Sequence, residues 1–276
     1  MRHIPRKRFG QHFLADTAII AAIVDAIAPR SGDTMVEIGP GLGAITGPLA
    51  ARVAKLIVIE LDRDIVRRLQ AGYADRIEIH SADVLAFDFA RLPDNLRVVG
   101  NLPYNISTPL LFYLAGFAPR IRDMHFMLQR EVVERMAAAP STPAYGRLSV
   151  MLQLDFEILD LFGVSPEAFD PPPKVESAVV RMLPRPWSVP AGFDRAWFGE
   201  VVAAAFGQRR KTLRNSLGTL MANRGADGGH AAAAMARLGI DSGLRAENLG
   251  VAEFAALSVA LSDALGSRLA ERAAGG

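Results

Sequence analysis

Asn101-Leu102-Pro103-Tyr104 puts an amide, a backbone carbonyl and an aromatic ring in direct succession. The Asn101 side-chain oxygen and the Leu102 carbonyl are both acceptors. Placed outside the ring plane of an adenine, they could take its two amine N–H bonds and draw the nitrogen lone pair out of the ring. That makes a poor nucleophile a usable one. Pro103 fixes its own φ and drives Leu102 toward an extended conformation, which helps aim that carbonyl. Tyr104 could stack on the base for about 1–3 kcal/mol, once the base has left its own stack. This set suits direct methyl transfer to an exocyclic amine, with no covalent intermediate and no metal. By itself it also reads as an Asn-x-Pro turn with a half-buried tyrosine, so its setting matters.

The setting is a second polar group. Gly39-Pro40-Gly41-Leu42-Gly43 follows a short apolar run, and such glycines allow a sharp turn and close approach to a ligand. With Ala44 the loop fits G-x-G-x-x-G/A, and Glu60 lies where a ribose-binding acid is expected. Glu60 could accept from both ribose hydroxyls. Asp83 could accept from the adenine amino group of the cofactor; taken alone it reads as a turn or helix cap. These residues fit a nicotinamide dinucleotide as well as S-adenosyl-L-methionine. The Asn101–Tyr104 loop separates the two, because a dehydrogenase has no evident use for it.

The elements that must position these residues can be read from periodicity. Ile19, Ile20, Ile23, Val24 and Ile27 have helical spacing, with Asp16 or Thr17 as N-cap. Short apolar runs at 35–38, 56–59, 77–80, 97–99 and 124–128 read as strands. Helical stretches such as 64–71 and 108–115 lie between them. Two more strands are expected near 156–161 and 178–183. Strands alternating with helices predict an α/β fold with a doubly wound, mainly parallel sheet. Gly39, Glu60, Asp83 and Asn101 then all fall at the C-terminal edge of that sheet, where open α/β folds bind ligands. Pro184-Arg185-Pro186 reads as a boundary. It divides a catalytic domain, 1–184, from a small, alanine-rich helical domain, 185–276.

Composition narrows the setting further. The 276 residues are half hydrophobic and 22% charged, as in ordinary globular proteins. The absence of cysteine excludes disulfides and thiolate metal sites and fits a reducing compartment. No apolar run is long enough to span a bilayer, and the basic first ten residues lack a signal peptide's apolar core. A cytoplasmic, membrane-free and monomeric protein is expected. Net charge is only +2, so distribution matters more than total. Arg2, Arg6, Lys7 and Arg8 form one basic cluster and Arg209, Arg210, Lys211 and Arg214 a second. Each could hold phosphates or be a solvated charge run.

Longer blocks carry a family resemblance. They are Lys7-Arg8-Phe9-Gly10-Gln11-His12-Phe13-Leu14, Val36-Glu37-Ile38-Gly39-Pro40-Gly41-Leu42-Gly43 and Val99-Gly100-Asn101-Leu102-Pro103-Tyr104-Asn105-Ile106, then residues 169–180 from Phe169-Asp170-Pro171-Pro172-Pro173 onward and residues 206–217 around Arg209-Arg210-Lys211. Over nearly its whole length the chain resembles the ribosomal RNA adenine dimethyltransferases of the KsgA (RsmA) type. The resemblance implies a Rossmann-like class I S-adenosylmethionine-dependent methyltransferase domain with a helical C-terminal domain. It implies N6,N6-dimethylation of two adjacent adenosines near the 3′ end of 16S rRNA, in the immature small ribosomal subunit. It implies that His12 and Leu14 line the methyl-donor pocket with Gly39, Gly41, Glu60, Asp83 and Asn101. Many members have Asn where this chain has His12, and either can donate a hydrogen bond. Phe169, on sequence a buried loop aromatic, would stack on the target base. The basic clusters would contact RNA phosphates, which position without specifying sequence. Two rival readings keep the scaffold: an Erm-type large-subunit methyltransferase, and a non-catalytic assembly or transcription factor.

Overall fold

The computed structural model describes residues 12–186, 189–208 and 210–274. By contacts the chain forms two compact units: Met1–Glu134 with Asp155–Arg185, and Arg135–Leu154 with Pro186–Gly276. One division between the units falls between Arg185 and Pro186. The segment Arg135–Leu154, which the sequence reading keeps in the catalytic domain, groups with the helices instead.

The first unit is built on a seven-stranded sheet. Its strands are β2 (Thr34–Ile38), β3 (Lys55–Glu60), β4 (Glu78–Ser81), β5 (Leu96–Asn101), β6 (Ile121–Gln129), β7 (Phe156–Val164) and β9 (Ser177–Pro184). The order is β4-β3-β2-β5-β6-β9-β7. Pairings from β4 through β6 are parallel, and β9 runs antiparallel between β6 and β7. All seven strands coincide with runs read from the sequence. A further pair, β1 (Phe13–Leu14) with β8 (Phe169–Asp170), has no counterpart in that reading. Two residues are too few to show a period.

Central strands are apolar on both faces because both are covered; Val36, Ile57, Val58 and Val98 are fully buried. Helix α1 (Thr17–Ile27) starts at Asp16, whose carboxylate accepts from the Ala18 and Ile19 N–H groups. Its Ile23 and Ile27, one turn apart, pack with Met35, Val99 and Met127 on one sheet face. At its far end Ala28 turns left-handed, and the buried Arg97 donates to the Ile27 and Ala28 carbonyls. The same guanidinium binds Asp123 at 2.9 Å and Asp33 at 2.7 Å.

The second unit is helical among the described residues. It contains α6 (Arg147–Gln153), α7 (Arg195–Phe206), α8 (Leu213–Asn223), α9 (Gly229–Arg237) and α10 (Val251–Ala274). Leu213, Leu217 and Met221 of α8 are fully buried against Phe198 and Phe254, while Leu220 packs at the edge of that core.

Candidate active site

Strand order reverses at β2, whose neighbours are β3 on one side and β5 on the other. Loops leaving β2 and β5 therefore diverge, and a crevice opens beyond the strand ends. A cavity of about 200 Å³ lies there. His12, Leu14, Gly39, Gly41, Glu60, Asp83, Phe169 and all four residues of the reactive loop line it. Every lining residue belongs to the first unit.

Two glycines make the approach possible. Gly41 has φ +56°, and a Cβ there would sit 3.0 Å from the Phe13 ring. Gly100 precedes Asn101, and a Cβ on it would lie 2.5 Å from the Ile38 carbonyl oxygen. Any side chain at Gly100 would force β5 away from the end of β2.

Glu60 ends β3 with Oε1 accepting from the Asp62 N–H at 2.8 Å. Burial raises its pKa, although the Asp62, Gly41 and Leu61 N–H groups pull the other way. Asp83 caps a short turn, as its solitary reading suggests: Oδ1 accepts from the Leu85 N–H at 3.0 Å. It lines the cavity as well.

In the reactive loop, the Asn101 amide nitrogen donates to the His12 carbonyl at 3.2 Å. The Leu102 N–H donates to the Met127 carbonyl at 3.2 Å. Among the described residues no donor occupies the Asn101 Oδ1 or the Leu102 carbonyl. The Tyr104 hydroxyl bonds Ser177 Oγ at 2.8 Å, and its ring lies 6.2 Å from the His12 ring at 25°. Phe169 is buried, opposite Leu14 in the β1–β8 pair.

Several residues here escaped the sequence reading. Phe13 and Ser177 contact the loops just described. Glu37 and His125 lie on the sheet itself, one row across from each other through Val99. Both line the cavity. Glu37 is wholly buried, and neither carboxylate oxygen has a hydrogen-bond partner among the described residues. Burial pushes its pKa up to about 8, against the opposing pull of the Thr46 hydroxyl, and Glu60 adds repulsion. His125 is likewise unpartnered at both ring nitrogens, and burial pushes its pKa down to about 4. The available signal was a titratable residue inside an otherwise apolar strand.

The basic residues divide. Arg6, Lys7, Arg8 and Arg209 lie outside the described residues. Arg210 and Lys211 are exposed in the turn before α8, as is Arg214 in its first turn.

The Asn101–Tyr104 loop, which fits a methyl donor and has no use in a dehydrogenase, shares this cavity with the glycine loop. Fold and site together define a Rossmann-like class I S-adenosylmethionine-dependent methyltransferase. Residues 2–262 match the family described as ribosomal RNA adenine dimethylase, and the chain belongs to that family. Among its relatives are two proteins named ribosomal RNA small subunit methyltransferase A. The one from Thiobacillus denitrificans is 59% identical, over 94% of this chain and 99% of its own. That from Chromobacterium violaceum is 56% identical, over 95% and 97%. The solved structure of a dimethyladenosine transferase from Plasmodium falciparum shares the fold, with a TM-score of 0.77 at 24% identity, over 89% of this chain and 96% of its own. The 23S rRNA methyltransferase ErmE is similar at a TM-score of 0.69 and 25% identity, over 91% and 99%. The chain is thus an S-adenosylmethionine-dependent rRNA adenine dimethyltransferase and RNA is its substrate.

Proposed function

We propose that this enzyme dimethylates N6 of two adjacent adenosines near the 3′ end of 16S rRNA, in the immature small ribosomal subunit, acting as a cytoplasmic monomer. The observation that carries the chemistry is a pair of acceptors in the cavity lining, Asn101 Oδ1 and the Leu102 carbonyl, that meet no donor among the described residues. The small-subunit target is supported by the names of relatives at 56–59% identity.

When bound, S-adenosylmethionine supplies a methyl group activated by its sulfonium. Gly39 and Gly41 admit it closely; Glu60 accepts from its ribose and Asp83 from its adenine amine. His12 and Leu14 would line the wall beside it, and its positive charge would favour ionisation of Glu37. Asn101 Oδ1 and the Leu102 carbonyl hold the amine of the target base with its lone pair out of the ring. Tyr104 stacks on the extruded base, and Phe169 covers the other face. Arg6, Lys7, Arg8, Arg209, Arg210 and Lys211 hold RNA phosphates. After one methylation only one N–H remains, so the second transfer uses one acceptor or the other.

The fold similarity to ErmE makes large-subunit RNA the competing target. Mass spectrometry of both rRNAs from a deletion strain separates the two. Dimethyladenosine missing from 16S rRNA alone is the expected result. Loss confined to large-subunit RNA would sink this assignment, and no loss from either would return the chain to a non-catalytic role.

A further inference from the structure

His12 meets the reactive loop with its main chain as well as its ring. The Asn101 amide nitrogen lies 3.2 Å from the His12 carbonyl oxygen. A carbonyl oxygen only accepts, so the end of the amide turned toward it must be the NH₂. Oδ1 is then the end left for a ligand. An amide without such a partner can flip with almost no change of shape. Flipped, it would oppose its own N–H groups to those of an adenine amine.

The His12 carbonyl is itself well fixed. The His12 ring contacts the Pro171 carbonyl through Nδ1 at 2.8 Å, which requires the proton on Nδ1. The next two residues pair antiparallel with Asp170 and Phe169. The Ala15 and Asp16 N–H groups both reach the Ala168 carbonyl, at 2.8 and 3.2 Å. The residue just before a two-residue strand is thus tied, with the strand itself, at three levels to a segment about 150 positions away.

We propose that the main-chain carbonyl of His12 is the positioning group that sets the polarity of the Asn101 amide, turning Oδ1 toward the target amine. The residue that leads into β1 is then part of the reactive centre and not only a wall of the donor pocket. This rests on the reading above that Asn101 Oδ1 accepts from the amine.

Asn101→Asp tests it. A protonated carboxyl copies the amide: its O–H donates to His12 and its C=O accepts from the amine. An ionised carboxylate has acceptors at both ends and turns one against the His12 carbonyl. The other titratable groups lining the cavity are Glu37 on β2, Glu60 on β3, Asp83 after β4, Tyr104 in the loop, His125 on β6 and the His12 ring. All are present in the wild type, so the ratio of variant to wild-type kcat at each pH cancels them. That ratio should fall as pH rises from about 6 to about 9, approaching about tenfold per unit above the pKa of the introduced carboxyl. A ratio that is flat or rises with pH overturns the inference, because an ionised carboxylate would then serve as well as the amide. Asn101→Ala in the same assay separates the two layers. Wild-type turnover by Asn101→Ala defeats the acceptor role itself. An inactive Asn101→Ala beside a flat Asn101→Asp ratio defeats only the role of His12. Neutron diffraction of the wild type gives a measurement free of variants: nitrogen facing the His12 carbonyl is expected, and oxygen there overturns the inference.

Discussion

Asn101 lines the cavity, and on the proposed mechanism its loss has a defined consequence. Asn101→Ala would remove the acceptor for the target amine while leaving Glu60 and the glycine loop intact. By comparison with preorganised oxyanion donors, kcat should fall by about 10²–10³. Calorimetry should find cofactor affinity changed by less than about threefold, and a parallel loss of both would mean that Asn101 serves mainly the cofactor. Glu37 makes a second prediction at this scale. Its folded-state pKa of about 8 stands above the ordinary 4.5. Between those values the folded protein keeps a proton that the unfolded chain has lost. This contribution to stability is complete below about pH 4.5 and disappears as pH rises through about 8. Glu37→Gln should therefore raise the thermal midpoint of the cofactor-free enzyme by a margin that widens across this window. A margin independent of pH would refute the assignment. The polarity of the loop was legible because Asn, Pro and Tyr declare their chemistry. The strain of placing Glu37 beneath the glycine loop was not, because a carboxylate in a strand looks alike whether its neighbours are solvent or core.

At the scale of elements, the seven strands of the main sheet were readable because each buries a continuous apolar run between turn signals. Strands β1 and β8 were not, since their pairing joins Phe13 to Asp170 and Leu14 to Phe169 across more than half the chain. What fixes α1, which carries Ile23 to the cavity wall, was also invisible. Arg97 lies in a strand that sequence reads as apolar, yet it is 3% exposed and holds Asp33, Asp123 and the last carbonyls of α1. Burial would push the Asp33 carboxyl up, but the Arg30 N–H and the Arg97 and Arg122 guanidinium groups hold it below its usual range. Arg97→Leu removes the shared buried counter-charge of two carboxylates, leaving only Arg122 near Asp33 and Arg181 near Asp123, which should cost about 3–5 kcal/mol. Urea midpoints of variant and wild type measure this, and a loss under about 1 kcal/mol would mean that Arg122 and Arg181 take over.

For the whole molecule, the cavity belongs to the sheet unit, and the exposed Arg210 and Lys211 belong to the helical one. If these cations hold phosphates, log affinity for RNA falls linearly with log salt. Replacing both with alanine should then lower that slope by about 1–2, with turnover at saturating RNA nearly unchanged. Fluorescence anisotropy over a salt series reads the slope, and an unchanged value would make the pair a solvated face. The grouping of Arg135–Leu154 with the helices belongs to this scale too. A chain that leaves one unit and returns leaves no local mark unless proline or glycine punctuates the crossing.

The sequence by itself determined the doubly wound sheet, the strand-end positions of Gly39, Glu60, Asp83 and Asn101, and the donor and acceptor groups that the Asn101–Tyr104 loop offers. These follow from local patterns: apolar runs, turn residues, and side chains whose donors and acceptors are fixed by type. Tertiary structure alone decided which end of the Asn101 amide faces the His12 carbonyl, that Glu37 and His125 line the cavity with no hydrogen-bond partner among the described residues, and that Phe13 of β1 lies against Gly41. Those outcomes depend on contacts between residues far apart in the chain and on burial, which sets the cost of a charge without altering the letter that encodes it.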